Sequence, residues 1–140
     1  MSFAAATLLW GCGDGGTGGA AGPTPCPLPE ARGNERLLPR DLQLDGYGVL
    51  AETRVSKGFV SARIVSETEI VELYPPIARS LLDNGYQILS GDNEGFEAEI
   101  FFTRGKDANG NIYMREGPCT GQVTMTLTYG SAGGGGKKER

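Results

Sequence analysis

A small α+β fold is what this sequence predicts: a two-layer sandwich in which an antiparallel sheet of four or five strands carries one kinked helix on one face. Val123, Met125, Leu127 and Tyr129 alternate with Gln122, Thr124, Thr126 and Thr128, the period-two signature of a strand with one packed and one wet side. Ile70, Leu73, Tyr74, Ile77 and Leu81 recur at helical spacing. Clusters of Gly, Asn and Asp punctuate the remaining apolar segments, as hairpin turns require. Because glycine-rich stretches occupy both ends of the 140 residues, the folded unit is expected at 27–130, one domain of roughly 100 residues.

In chain order, Cys26-Pro27-Leu28-Pro29 through Leu38-Pro39-Arg40 has repeated prolines and no periodicity, which predicts an extended lead-in arm. Gly46-Tyr47-Gly48-Val49-Leu50 opens a first strand, and Phe59 to Val65, with Val60, Ala62 and Ile64 on one side, forms a second. Ser66 and Glu69 have capping-box spacing ahead of the helical stripe, which Asn84-Gly85 ends with a left-handed stop. Pro75-Pro76 removes two backbone donors inside that stripe, so the helix must kink there or begin at Pro75, and the apolar stripe running through the prolines favours the kink. Tyr86 to Ser90 and Phe96 to Phe102 then make a hairpin about Gly91-Asp92-Asn93-Glu94-Gly95. A second turn at Asp107-Ala108-Asn109-Gly110-Asn111 leads into Ile112 to Arg115 and, past Pro118-Cys119, into Gln122 to Tyr129. The expected order is β-β-α-β-β-β.

The N-terminal segment carries the clearest indication of place. Phe3 to Trp10 is apolar over eight residues, too short to span a membrane, which takes about 20, and of signal-peptide length. Leu8-Leu9-Trp10-Gly11-Cys12 resembles the lipobox of bacterial lipoproteins, and Gly13 to Gly22 is similar to the tether such proteins place between lipid and domain. The resemblance implies a signal peptide at 1–11, lipidation of Cys12, a lipid-anchored tether at 12–26 and a site of action at the cell membrane or outer membrane, facing the periplasm or exterior. Trp10 stands where a small or aliphatic residue is usual. No Lys or Arg precedes Cys12, which points to a start upstream of Met1 or to a plain hydrophobic N-terminus. The segment from Leu81 to Tyr86 also resembles stretches of small bacterial lipoproteins of unknown function.

Three cysteines in an exported chain leave one unpaired. Lipidation of Cys12 accounts for it, and Cys26 and Cys119 are then left to form a disulfide. Three reduced, buried thiols in a cytosolic chain are the alternative. With no histidine and with cysteines 14 and 93 positions apart, a zinc site is not expected.

Charge and motifs exclude several function classes. The chain has a net charge of -4, and Leu28 to Gly130 holds 15 acidic against 10 basic side chains, so no nucleic-acid partner is expected. Lys137, Lys138 and Arg140 make the flexible glycine-rich tail at 131–140 locally basic. The lack of histidine removes Ser-His-Asp and Cys-His nucleophile pairs, and the glycine-rich N-terminus lacks the Lys and Ser or Thr of a phosphate loop. Glu97 and Glu99 share one side of a strand about 7 Å apart, a spacing at which paired carboxylates could act, but a solvated strand face is the simpler reading. Asp107 to Asn111 shares part of the ligand pattern of a calcium loop and departs from it at Gly110 and Pro118, so a plain turn is favoured. Glu97, Glu99, Thr124, Thr126 and Thr128, with Ser61 and Arg63, form a polar face that could serve as an interaction surface, although a solubilising face is the simpler reading, since alternation needs only one wet side. The expectation is a non-enzymatic binding or envelope-structural module held to the membrane by its lipid anchor, with an envelope protein or ligand as partner, and without cofactor or metal. A soluble calcium-dependent binder or carboxylate-dependent hydrolase is the alternative.

Overall fold

The computed structural model describes residues 26–106 and 108–130; the predicted signal peptide, Cys12, the tether, Asp107 and the tail lie outside them. Among the described residues the strands are β1 (Val49–Ser56), β2 (Phe59–Ser66), β3 (Gln87–Asn93), β4 (Glu97–Arg104), β5 (Ala108–Glu116) and β6 (Val123–Gly130). They form one antiparallel sheet in the order β1-β2-β6-β5-β4-β3, and a helix, α1 (Ile70–Asp83), links β2 to β3. The α+β class is observed, but the sheet has six strands rather than four or five, in the order β-β-α-β-β-β-β. The last strand in sequence ends up inside the sheet, paired on both sides with β2 and β5.

Helix α1 forms because Ile70, Leu73, Ile77 and Leu81 build one buried stripe, each no more than 2% exposed. It packs over β3, β4 and β5. Burying each such side chain contributes about 1.5 to 3 kcal/mol. The expected kink is not seen: Pro75 and Pro76 lie inside a helix that runs unbroken through them. Both prolines are exposed, as are Val71 and Glu72, whose carbonyls lose their helical donors, so water can satisfy those groups. Neither does the capping box form. Ser66 closes β2 and its hydroxyl accepts from the Thr68 amide, while Glu69 caps α1 through its backbone carbonyl alone.

The predicted stop is where it was expected. Gly85 adopts a φ of 81°, Tyr86 N–H donates to Leu81 and Gly85 N–H to Leu82, a Schellman closure that glycine makes without strain. It drops Tyr86 straight into the core beside Leu81. Two turns are displaced from expectation. β3 continues to Asn93, so the first hairpin turns at Glu94 to Phe96, and the second turns at Gly105-Lys106 rather than at Asn109-Gly110. Asn109 and Gly110 are strand residues, facing Thr103 and Phe102. Asn109-Gly110-Asn111 is therefore extended backbone and does not make the loop a calcium site would need.

The lead-in arm differs most from its prediction. Instead of an extended strap, residues 27–48 coil into 3-10 turns at Glu35–Leu37, Arg40–Leu42 and Asp45–Tyr47, the last where the first strand was expected to open, and bury Leu38, Leu42 and Leu44 in the same core as α1. Gly33 N–H donates to Leu50 and Asn34 N–H to the Thr53 hydroxyl, which fastens the arm along β1. At its start, Cys26 is joined to Cys119 by a disulfide with an S–S distance of 2.07 Å. Among the described residues no helix is long and apolar enough to cross a membrane.

Candidate functional site

Alternation gives the sheet two unlike faces. Ala62, Ile64, Ala98, Ile100, Phe102, Ile112, Met114, Val123, Met125 and Leu127 are buried beneath α1 and the arm, and the intervening side chains point away from that core. The outward residues fall into rows set by the register. Glu97 faces Arg115, which faces Thr124. Beside them run Glu99, Tyr113, Thr126 and Arg63, then Phe101, Asn111, Thr128 and Ser61. The predicted face residues are thus brought onto one surface, spanning β2, β6, β5 and β4.

Within that surface, β5 supplies what sequence reasoning missed. Asn111, Tyr113 and Arg115 lie between the glutamates of β4 and the threonines of β6. The Tyr113 hydroxyl donates to Glu97 Oε2 at 2.9 Å, and Asn111 Nδ2 donates to Glu99 Oε1 at 3.1 Å. The bond to Glu97 holds the Tyr113 phenol above its usual range, because losing the proton would lose that donor and set two negative oxygens together. Each glutamate is thereby engaged by a different neighbour on β5, which fixes the orientation of both carboxylates. The signal for β5 was weak, because Asn109-Gly110 reads as a turn and left only Ile112 to Arg115 as strand.

Toward β1 the surface becomes an ion-pair cluster. Glu52 pairs with Arg54 and lies 3.7 Å from Arg63. Hydrogen bonding from Arg54, reinforced by the charge of both guanidinium groups, holds the Glu52 carboxyl below the usual carboxylate range. These three residues with Ser61 and Thr126 line a shallow depression of about 210 Å³. Phe101, 42% exposed, adds an apolar spot at the β4 side. Hydroxyls, one amide and both signs of charge make this face rich in hydrogen-bonding groups.

A larger cavity of about 560 Å³ lies at the end of the sheet where the disulfide sits, bounded by Glu69 and Val71 at the start of α1, Gly95, Glu116 at the end of β5, and the loop holding Pro118 and Cys119. Among the described residues no group of three or more Cys, Asp or Glu is placed to hold a metal ion. Cys26 and Cys119 stand together as the cysteine arithmetic anticipated, whereas Cys12 lies outside the described residues. No protein-family model matches the chain, and no curated protein matches its sequence.

Proposed function

We propose that the chain is an exported lipoprotein, held to the cell membrane or outer membrane by acyl chains on Cys12, whose domain binds another envelope component through the open face of its sheet without catalysing a reaction. The observation that carries this reading is the Cys26–Cys119 bond. Such bonds persist in oxidising compartments, and this one uses two of the three cysteines. The third is Cys12, the residue that the lipobox-like segment marks. Stable anchoring takes two or more acyl chains, which a diacylated cysteine supplies. The partner meets Thr124, Thr126 and Thr128 together with Glu97 and Glu99, a face that neither α1 nor the arm covers.

Expression in a bacterium that processes lipoproteins, followed by mass spectrometry of the N-terminus, tests the anchor. A diacylated Cys12 as first residue is expected, and Cys12→Ser should release the protein from membranes. An unmodified Cys12 within an otherwise intact chain would sink the tethered reading. For the face, in-cell cross-linking should capture a partner that is lost in Thr126→Arg and Glu99→Arg while the melting temperature holds. Capture of the same partner by both variants would rule this face out.

A further inference from the structure

The Cys26–Cys119 bond connects two places that carry tension very differently. On one side of it, residues 27–48 form the arm, held by three buried leucines, two hydrogen bonds to β1, and the ion pair of Asp41 with Arg104. Pulled from its N-terminal end, such a segment detaches contact by contact. On the other side, Cys119 lies four residues before Val123, the first residue of β6. β6 is bonded along its whole length to β2 and to β5. Ladder hydrogen bonds run perpendicular to the strands, so a pull along β6 bears on both ladders at once instead of opening them in turn.

The local structure strengthens this junction. Gln122 Nε2 donates to the Cys26 carbonyl at 2.8 Å, Gln122 N–H donates to the Cys119 carbonyl, and Gly117 N–H donates to the Gln122 carbonyl. The short segment between the disulfide and β6 is therefore braced on both sides. β6 also carries Thr124, Thr126 and Thr128 on its outward side.

We infer that the disulfide is a force shunt: tension arriving from the N-terminal side of Cys26 passes through sulfur into the interior strand β6, bypassing the arm. The source of the pull rests on the tethered reading above, in which a membrane anchor holds one end and a partner grips the face. The same strand then joins anchor to partner by the shortest route, and the arm keeps its leucines in the core whatever the load.

Single-molecule force spectroscopy on the full chain, with handles at its two ends, tests the shunt. In the oxidised protein only residues 120–130 can lengthen among the described ones, so the domain should release at most about 4 nm of contour length. Reduction of the same folded molecule should allow about 35 nm, beginning with a separate step of about 7 to 8 nm as the arm peels away at lower force. An arm-sized step in the oxidised protein would overturn the inference. So would a reduced protein that yields in one step with no early loss of the arm. Attachment through handles does not use lipid, so an unmodified Cys12 would remove the proposed anchor and leave this measurement standing, and a failed shunt would leave the anchor standing.

Discussion

The ring of Phe102 lies against the bare backbone of Gly110, its register partner on β5: a β carbon there would stand 2.6 Å from Phe102 Cζ and 2.4 Å from the Thr128 carbonyl oxygen. Phe102 is fully buried and meets Tyr86 edge-on, with ring centroids 5.2 Å apart, so it has little room to yield. Gly110→Ala should therefore lower stability by about 1 to 3 kcal/mol despite the better strand propensity of alanine. Urea denaturation reads this as a shifted midpoint, and an unchanged midpoint would show that the ring moves aside freely.

The arm is expected to behave as core. Leu42 is 1% exposed and packs in the cluster that contains Ile70 and Ile77. Leu42→Ala should cost about 2 to 5 kcal/mol, as removal of buried methyl groups does elsewhere. A loss below about 0.5 kcal/mol, the range of ordinary surface substitutions, would mean that the arm is only an appendage.

Opening the disulfide acts mainly on the unfolded chain. Its two cysteines are 93 residues apart, and closing a loop of that length is worth about 4 to 5 kcal/mol on the chain-entropy account. Denaturation curves with and without reductant should differ by roughly that amount. Coincident curves would show that the cross-link contributes nothing to stability.

Tyr86 sets an alkaline limit. Burial first, and the nearby Asp41 carboxylate second, push its phenol well above the ordinary value of about 10. The native state thus disfavours the phenolate. This stabilising contribution is whole below about pH 10 and is lost as pH rises from there through the higher native value. Tyr86→Phe should flatten that part of the alkaline decline. It keeps the ring under Arg104, whose guanidinium carbon lies 4.5 Å from the ring centroid. Because the Tyr86 hydroxyl is buried with no hydrogen-bond partner among the described residues, the substitution should be neutral or stabilising by up to about 1 kcal/mol near pH 7. A loss of stability near neutrality would show that the hydroxyl is satisfied in solution.

Where local chemistry and tertiary packing agree, the fold was legible. The alternation in β6 and the stripe on α1 needed no partner to be read, because each states its own period, and Asn84-Gly85 ended the helix through backbone preference alone. The outward glutamates and threonines followed from the same periodicity. Elsewhere packing overrode the local signal. Asn109-Gly110 is strong hairpin chemistry, yet Gly110 is glycine to admit Phe102, and the turn falls to Gly105, whose φ is 64°. Leu42 lies in one of the short 3-10 turns and Leu38 and Leu44 flank the others, in a stretch where no period forms, so their burial depends on a surface that exists only once α1 is in place. Tyr113 and Asn111 were missed because their role is set by cross-strand neighbours, Glu97 and Glu99, that lie 16 and 12 positions away.

Strand β6 begins four residues after the cross-linked cysteine and finishes at Gly130, seven residues later and roughly 24 Å away. The domain consequently has poles: polypeptide comes in at one and goes out at the other. On the proposed tethered reading, a fluorophore or epitope grafted after Gly130 would stand at the pole remote from Cys26, and its distance from a bilayer would report which way up the molecule is held.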